Sequence, residues 1–170
     1  GSASQTECYY GTYQPNTGQA SCIDASAGYY VSITAATNQT ACQIGGYQPS
    51  TGQFSCLPAD PGHYVNTIAA TSQTPCDFGS FQPLFGSDRC NTADPGHYVP
   101  NTGSANQTAC DLGTFQPNSG ASACIDSPPG HFVNTSAATS PTPCSSGTYN
   151  PSLGSSSADD CMDSDPGYAV

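Results

Sequence analysis

The chain lacks most of what an ordinary globular domain is built from. It has no tryptophan and no lysine, and its one cation, Arg89, faces 12 acidic residues for a formal net charge of −11. Binding a phosphate backbone needs Lys and Arg, so nucleic acid is excluded as a partner. An anionic membrane surface is disfavoured for the same reason. No 18-residue apolar run exists, and no membrane-spanning helix is expected. Leu, Ile and Val are sparse, although large aliphatic side chains supply most of the burial energy of a globule. Also missing are a C-x-x-C pair and histidines placed near cysteines, which sets zinc aside. No phosphate loop and no Ser/His/Asp or Cys/His constellation stands out, so nothing points to an enzyme.

What is present is a period. Glycine recurs every 17 residues at Gly11, Gly28, Gly45, Gly62, Gly79, Gly96, Gly113, Gly130 and Gly147. Two residues after each comes an aromatic: Tyr13, Tyr30, Tyr47, Tyr64, Phe81, Tyr98, Phe115, Phe132 and Tyr149. Cysteine follows a doubled period of 34, because only alternate units carry it. Repeats of this length read as arrays, in which each unit buries its faces against its neighbours. The sequence divides into five repeats: 1–31, 32–65, 66–99, 100–133 and 134–170. Both ends fall inside the pattern. Gly1 to Thr6 resembles Gly103 to Thr108, and Asp165 to Val170 resembles Asp94 to Val99. No signal peptide is visible, so a mature product or an excerpt of a longer secreted chain is expected.

Two unit types alternate. The first reads Cys-x-x-Gly-x-Tyr-Gln-Pro-x-x-Gly-x-x-x-Cys and occurs at Cys8 to Cys22, Cys42 to Cys56, Cys76 to Cys90 and Cys110 to Cys124. A fifth copy, Cys144 to Cys161, is longer by three residues. In the second type both cysteine positions hold other residues: Ala25 and Gln39, Ala59 and Gln73, Ala93 and Gln107, Ser127 and Pro141. Cysteines that vanish together are bonded to each other. That predicts Cys8–Cys22, Cys42–Cys56, Cys76–Cys90, Cys110–Cys124 and Cys144–Cys161, each closing a loop worth about 3 kcal/mol. The shifted scheme beginning Cys22–Cys42 stays open, since sequence alone does not fix connectivity. Cystines place the chain in an oxidising compartment.

Pro15-Asn16-Thr17-Gly18 and Pro49-Ser50-Thr51-Gly52 read as turns between short extended segments. Recurrent proline and few strong helix formers rule out helical repeats of the same period. The expected fold is all-β and irregular: an elongated tandem repeat of small disulfide-stapled β-hairpins. The nine aromatics are expected to pack on their own cystine and on the neighbouring unit. A row of aromatics can alternatively stack on sugar rings.

The string Cys8-Tyr9-Tyr10-Gly11-Thr12-Tyr13 through Cys22, with its four further copies, resembles the cysteine-rich modules of the ephrin-receptor-like and tumour-necrosis-factor-receptor-like families. The resemblance implies a rod-like extracellular segment with the first and last Cys of each module bonded. Family modules carry a further Cys three residues after the closing one, where this chain has Ala25, Ala59, Ala93, Ser127 and Ser164. Receptor-type ligand binding therefore does not carry over. Repeat regions of microbial surface proteins are similar in their regularity.

Other candidate sites are few. Asn38, Asn106 and Asn134 head N-x-Ser/Thr sequons, all in the second unit type, and read as N-glycan sites in a secreted chain. His63, His97 and His131 recur one double repeat apart and do not converge on a metal. Asp24, Asp60, Asp94, Asp126 and the group Asp159, Asp160, Asp163 and Asp165 make calcium a candidate ligand. Arg89 is expected to contact Asp88 or Asp60. The stretch from Phe78 to Arg89 stands out, with Leu84, Phe85 and Arg89 where small residues usually stand. Together these features predict an extracellular structural protein, a stalk or a filament that associates with itself into fibres and carries covalent glycans. The alternative is an adhesin or receptor segment that binds a protein or glycan.

Overall fold

In the computed structural model residues 4–169 are described. The terminal matches at Gly1 to Ala3 and at Val170 lie outside them. The fold is all-β, with one short 3-10 turn at Ala158–Asp160. Among the described residues 18 two-residue strands form nine antiparallel hairpins. In the first, β1 (Thr12–Tyr13) pairs with β2 (Ile23–Asp24), placing Tyr13 opposite Ile23. In the second, β3 (Tyr29–Tyr30) pairs with β4 (Thr40–Ala41), placing Tyr30 opposite Thr40.

The chain divides into two compact bodies. The first comprises Gly1–Pro75 and Gln82–Cys90, and the second Cys76–Phe81 and Asn91–Val170.

Within each body one set of backbone bonds repeats. The N–H of a repeat glycine donates to the carbonyl three residues beyond the next repeat glycine. In the first body Gly11 donates to Val31 at 2.8 Å, Gly28 to Gln48 at 2.7 Å and Gly45 to Val65 at 2.8 Å. In the second Gly96 donates to Gln116 at 2.7 Å and Gly113 to Val133 at 2.8 Å. A bond in the reverse sense returns to the preceding unit, from Ala35 N–H to the Cys8 carbonyl at 2.7 Å and from Gly120 N–H to the Ala93 carbonyl at 2.8 Å. Backbone groups that cannot be paired within a two-residue strand are thus paired between successive units.

This ladder explains the glycine period. Gly45 has φ +86°, and a Cβ there would sit 2.1 Å from the carbonyl oxygen of Gly86. Gly79 meets Gly120 in the same way, at 2.0 Å. Both the left-handed backbone and the close approach demand a residue without a side chain.

The buried groups within each body are small. The position three before the glycine is fully buried at Ala25, Cys42, Ala59, Cys76, Ala93, Cys110 and Ser127. The position three after it alternates between two solutions: Val31, Val65, Val99 and Val133 in cystine-free units, and Gln48, Gln82 and Gln116 in cystine units, all buried. The buried glutamines bridge their own turn. Gln48 Nε2 donates to the Ser55 carbonyl at 2.9 Å, and its Oε1 accepts from Ser50 N–H at 3.1 Å. No buried side-chain polar atom among the described residues is left unpaired.

Candidate interaction surface

Each cystine joins a Cys ahead of the opening turn to a Cys directly before the second strand, as Cys22 precedes Ile23. Cys8 is joined to Cys22, Cys42 to Cys56, Cys110 to Cys124 and Cys144 to Cys161, with Cα–Cα distances of 5.7, 5.8, 5.8 and 5.7 Å. Cys76 and Cys90 are disulfide-bonded as well, and no described cysteine is free.

Cystine-free units use an amide in the same place. Gln39 Oε1 accepts from Ser26 N–H, Gln73 Oε1 from Asp60 N–H and Gln107 Oε1 from Asp94 N–H, each at 2.7 Å. The Gln73 and Gln107 Nε2 groups also donate to the Asp60 and Asp94 carboxylates at 2.7 Å. Each Gln stands where a closing Cys stands in the alternate units and ties the start of the second strand to the turn ahead of the first by hydrogen bonds.

The repeat aromatics are half-buried along the strands, Phe132 being the most enclosed at 9 % and Tyr149 the most open at 39 %. Tyr13 packs against the buried cluster of Ala25, Val31 and Ala36 in the following unit. Asn38, Asn106 and Asn134 are exposed. The three histidine rings lie beside the Pro61, Pro95 and Pro129 carbonyls, with Nδ1 at 3.3, 3.3 and 3.2 Å.

The acidic residues are dispersed. Among the described residues no group of three or more His, Cys, Asp or Glu side chains is arranged to hold an ion. Asp160 Oδ2 instead accepts from the Ser156 and Ser157 N–H groups, both at 3.2 Å, and caps the 3-10 turn. Arg89 reaches Asp88 at 3.6 Å with its side chain 83 % exposed. Leu84 and Phe85 are each 66 % exposed. A concavity of 530 Å³ beside the Cys8–Cys22 cystine and one of 480 Å³ around Asn150 to Met162 contain no histidine.

One feature escaped the sequence pattern. A four-residue turn precedes every first strand, with the repeat glycine third and its φ positive, as a type II turn requires. In cystine-free units its second residue is small or rigid: Ala27, Pro61, Pro95 and Pro129. In the first four cystine units it is large and apolar: Tyr10, Ile44, Phe78 and Leu112, which are 61, 53, 62 and 54 % exposed. The turns close normally in both types, with Ser80 N–H donating to Asp77 at 3.0 Å and His97 N–H to Asp94 at 3.0 Å. The turn itself therefore does not need an apolar tip.

Residues 96–144 match the family model for tyrosine-protein kinase ephrin type A/B receptor-like modules. That segment is similar to an ephrin-receptor-like cysteine-rich module. The matched segment contains the Cys110–Cys124 hairpin, the Asn106 and Asn134 sequons and the Leu112 tip. No curated protein matches the chain. Modules of this family are of a non-catalytic ectodomain type, and the cystines fit an extracellular setting. No described helix is long and apolar enough to cross a membrane.

Proposed function

We propose that this ectodomain-type repeat is structural, a stalk or filament segment of the cell exterior whose units serve as interchangeable spacers. The observation that supports this is the backbone ladder. Successive units are joined by the same set of main-chain bonds whichever side chains they carry. An array of that kind has stability that adds repeat by repeat, so length changes without a new core. Glycans on the exposed Asn38, Asn106 and Asn134 would shield the sparse core from proteases. Inserting one, two and three copies of residues 76–109 tests the spacer role. Small-angle scattering should show the largest dimension growing by a constant step, and collapse to an unchanged dimension would sink it. Electron microscopy of unreduced protein at neutral pH tests the filament form, which predicts fibres with a regular axial repeat.

A second reading, an adhesin or receptor segment, is favoured by the family match together with the exposed Leu84 and Phe85, which shortly precede Arg89 in the sequence. On that reading Phe85→Ala or Arg89→Ala abolishes ligand binding, whereas both are silent in a spacer.

A further inference from the structure

The large apolar tips of the cystine units have no part in the cystines, the glycine ladder or the buried positions. Exposed apolar residues scattered singly call for no explanation. Recurrence at one turn position, in cystine units and not in the alternate ones, does. In the second body each tip directly follows an exposed carboxylate, as Asp77-Phe78 and Asp111-Leu112. The two tip-bearing units also adjoin, because a Cβ on Gly79 would strike the Gly120 carbonyl at 2.0 Å. The result is a pair of apolar projections, each with a negative charge beside it, on a chain of net charge −11.

We propose that the Asp77-Phe78 and Asp111-Leu112 tips form a docking surface for a cationic polypeptide segment that carries apolar side chains. Charge complementarity selects this occupant. A second copy of the chain cannot supply the positive charge, having no lysine and a single arginine that reaches Asp88. Two copies would meet acid to acid. A Lys or Arg on the partner can pair with Asp77 or Asp111 while its stem lies along the Leu112 side chain or over the Phe78 ring. The net acidity would steer such a segment in at a salt-dependent rate. This surface is independent of whether the chain is a stalk or a filament.

The test uses the full chain and three labelled synthetic peptides of equal length: alternating Lys and Leu, alternating Glu and Leu, and alternating Lys and Ser. Fluorescence anisotropy should show the Lys/Leu peptide binding at least tenfold more tightly than either comparison peptide. Phe78→Ser combined with Leu112→Ser should weaken it at least tenfold with an unchanged melting curve, since both side chains are already in solvent. Asp77→Asn combined with Asp111→Asn should weaken it and flatten its salt dependence. Equal binding of the Lys/Ser peptide, or no effect of the double serine variant, would overturn the proposal. So would sedimentation showing that the serine variant loses self-association, because the occupant would then be a second copy.

Discussion

Gln73 holds Asp60 twice, its Oε1 accepting from the Asp60 N–H and its Nε2 donating to the Asp60 carboxylate, both at 2.7 Å. The pair joins the same two chain segments that a cystine joins in the neighbouring units. Replacing this amide clamp by a cystine should therefore be tolerated. Ala59 is fully buried, as are Cys42 and Cys76 at the equivalent position. Gln73→Ala should destabilise its unit by about 1 kcal/mol. Ala59→Cys with Gln73→Cys should form a cystine spontaneously and return about 3 kcal/mol. A thiol assay and denaturant unfolding, each with and without reductant, would check both. Free thiols in the oxidised double variant would show that the two unit types do not share hairpin geometry.

The cystine half of the molecule was legible because a covalent pair leaves a paired signature, with both cysteines present or both absent. The amide half was not. At Gln39, Gln73 and Gln107 the partner common to all three is a backbone N–H, which any residue supplies, and the carboxylate that Gln73 and Gln107 also reach is replaced by Ser26 beside Gln39. The alternation of valine and glutamine in the core was equally hidden, because an apolar and a polar residue fill the same buried position by different means. Valine packs there, while glutamine satisfies itself against its own turn. The turn tips escaped because Tyr10, Ile44, Phe78 and Leu112 share only size and apolarity. A template written in residue identities records that position as variable.

The glycine ladder predicts unequal costs for one substitution. Gly45→Ala combines φ +86° with a Cβ 2.1 Å from the Gly86 carbonyl, so backbone must move. Its cost should exceed about 2 kcal/mol. Gly120→Ala has φ +72° but nothing within 4 Å, and should cost only about 1 kcal/mol. The reverse change is informative at Ala35, Ala69 and Ala137, which hold φ of 52°, 54° and 55°. Gly103 fills the equivalent place with φ 68°. Ala69→Gly should be neutral or stabilising by up to about 1 kcal/mol. Hydrogen exchange of the affected unit would rank the three variants, and equal losses at Gly45 and Gly120 would refute the close-approach argument.

Sugar at the sequons is expected to leave the fold intact, because Asn38, Asn106 and Asn134 are exposed. In transfer, the asparagine amide nitrogen bonds the anomeric carbon of a lipid-pyrophosphate-linked oligosaccharide and the lipid pyrophosphate leaves. Protein secreted from a eukaryotic cell should lose mass on treatment with a peptide N-glycosidase. Asn38→Gln, Asn106→Gln and Asn134→Gln should each remove one step of that loss. No mass change in the unsubstituted protein would mean that the sequons are unused.

The disulfide pairing around Arg89 can be read with one protease. A trypsin-like enzyme has a single site here, the Arg89–Cys90 bond, since the chain holds no lysine and no second arginine. The arginine side chain is 83 % exposed. The predicted Cys76–Cys90 pairing ties the two fragments across the cut. They should run as one band on a denaturing gel without reductant and as two bands with it. Two bands without reductant would refute the Cys76–Cys90 pairing. Because the Arg89 carbonyl accepts from Gln82 Nε2 at 2.8 Å, cleavage of the folded protein should also be slow. Gln82→Ala should speed it several-fold, and an unchanged rate would show that this hydrogen bond does not guard the peptide bond.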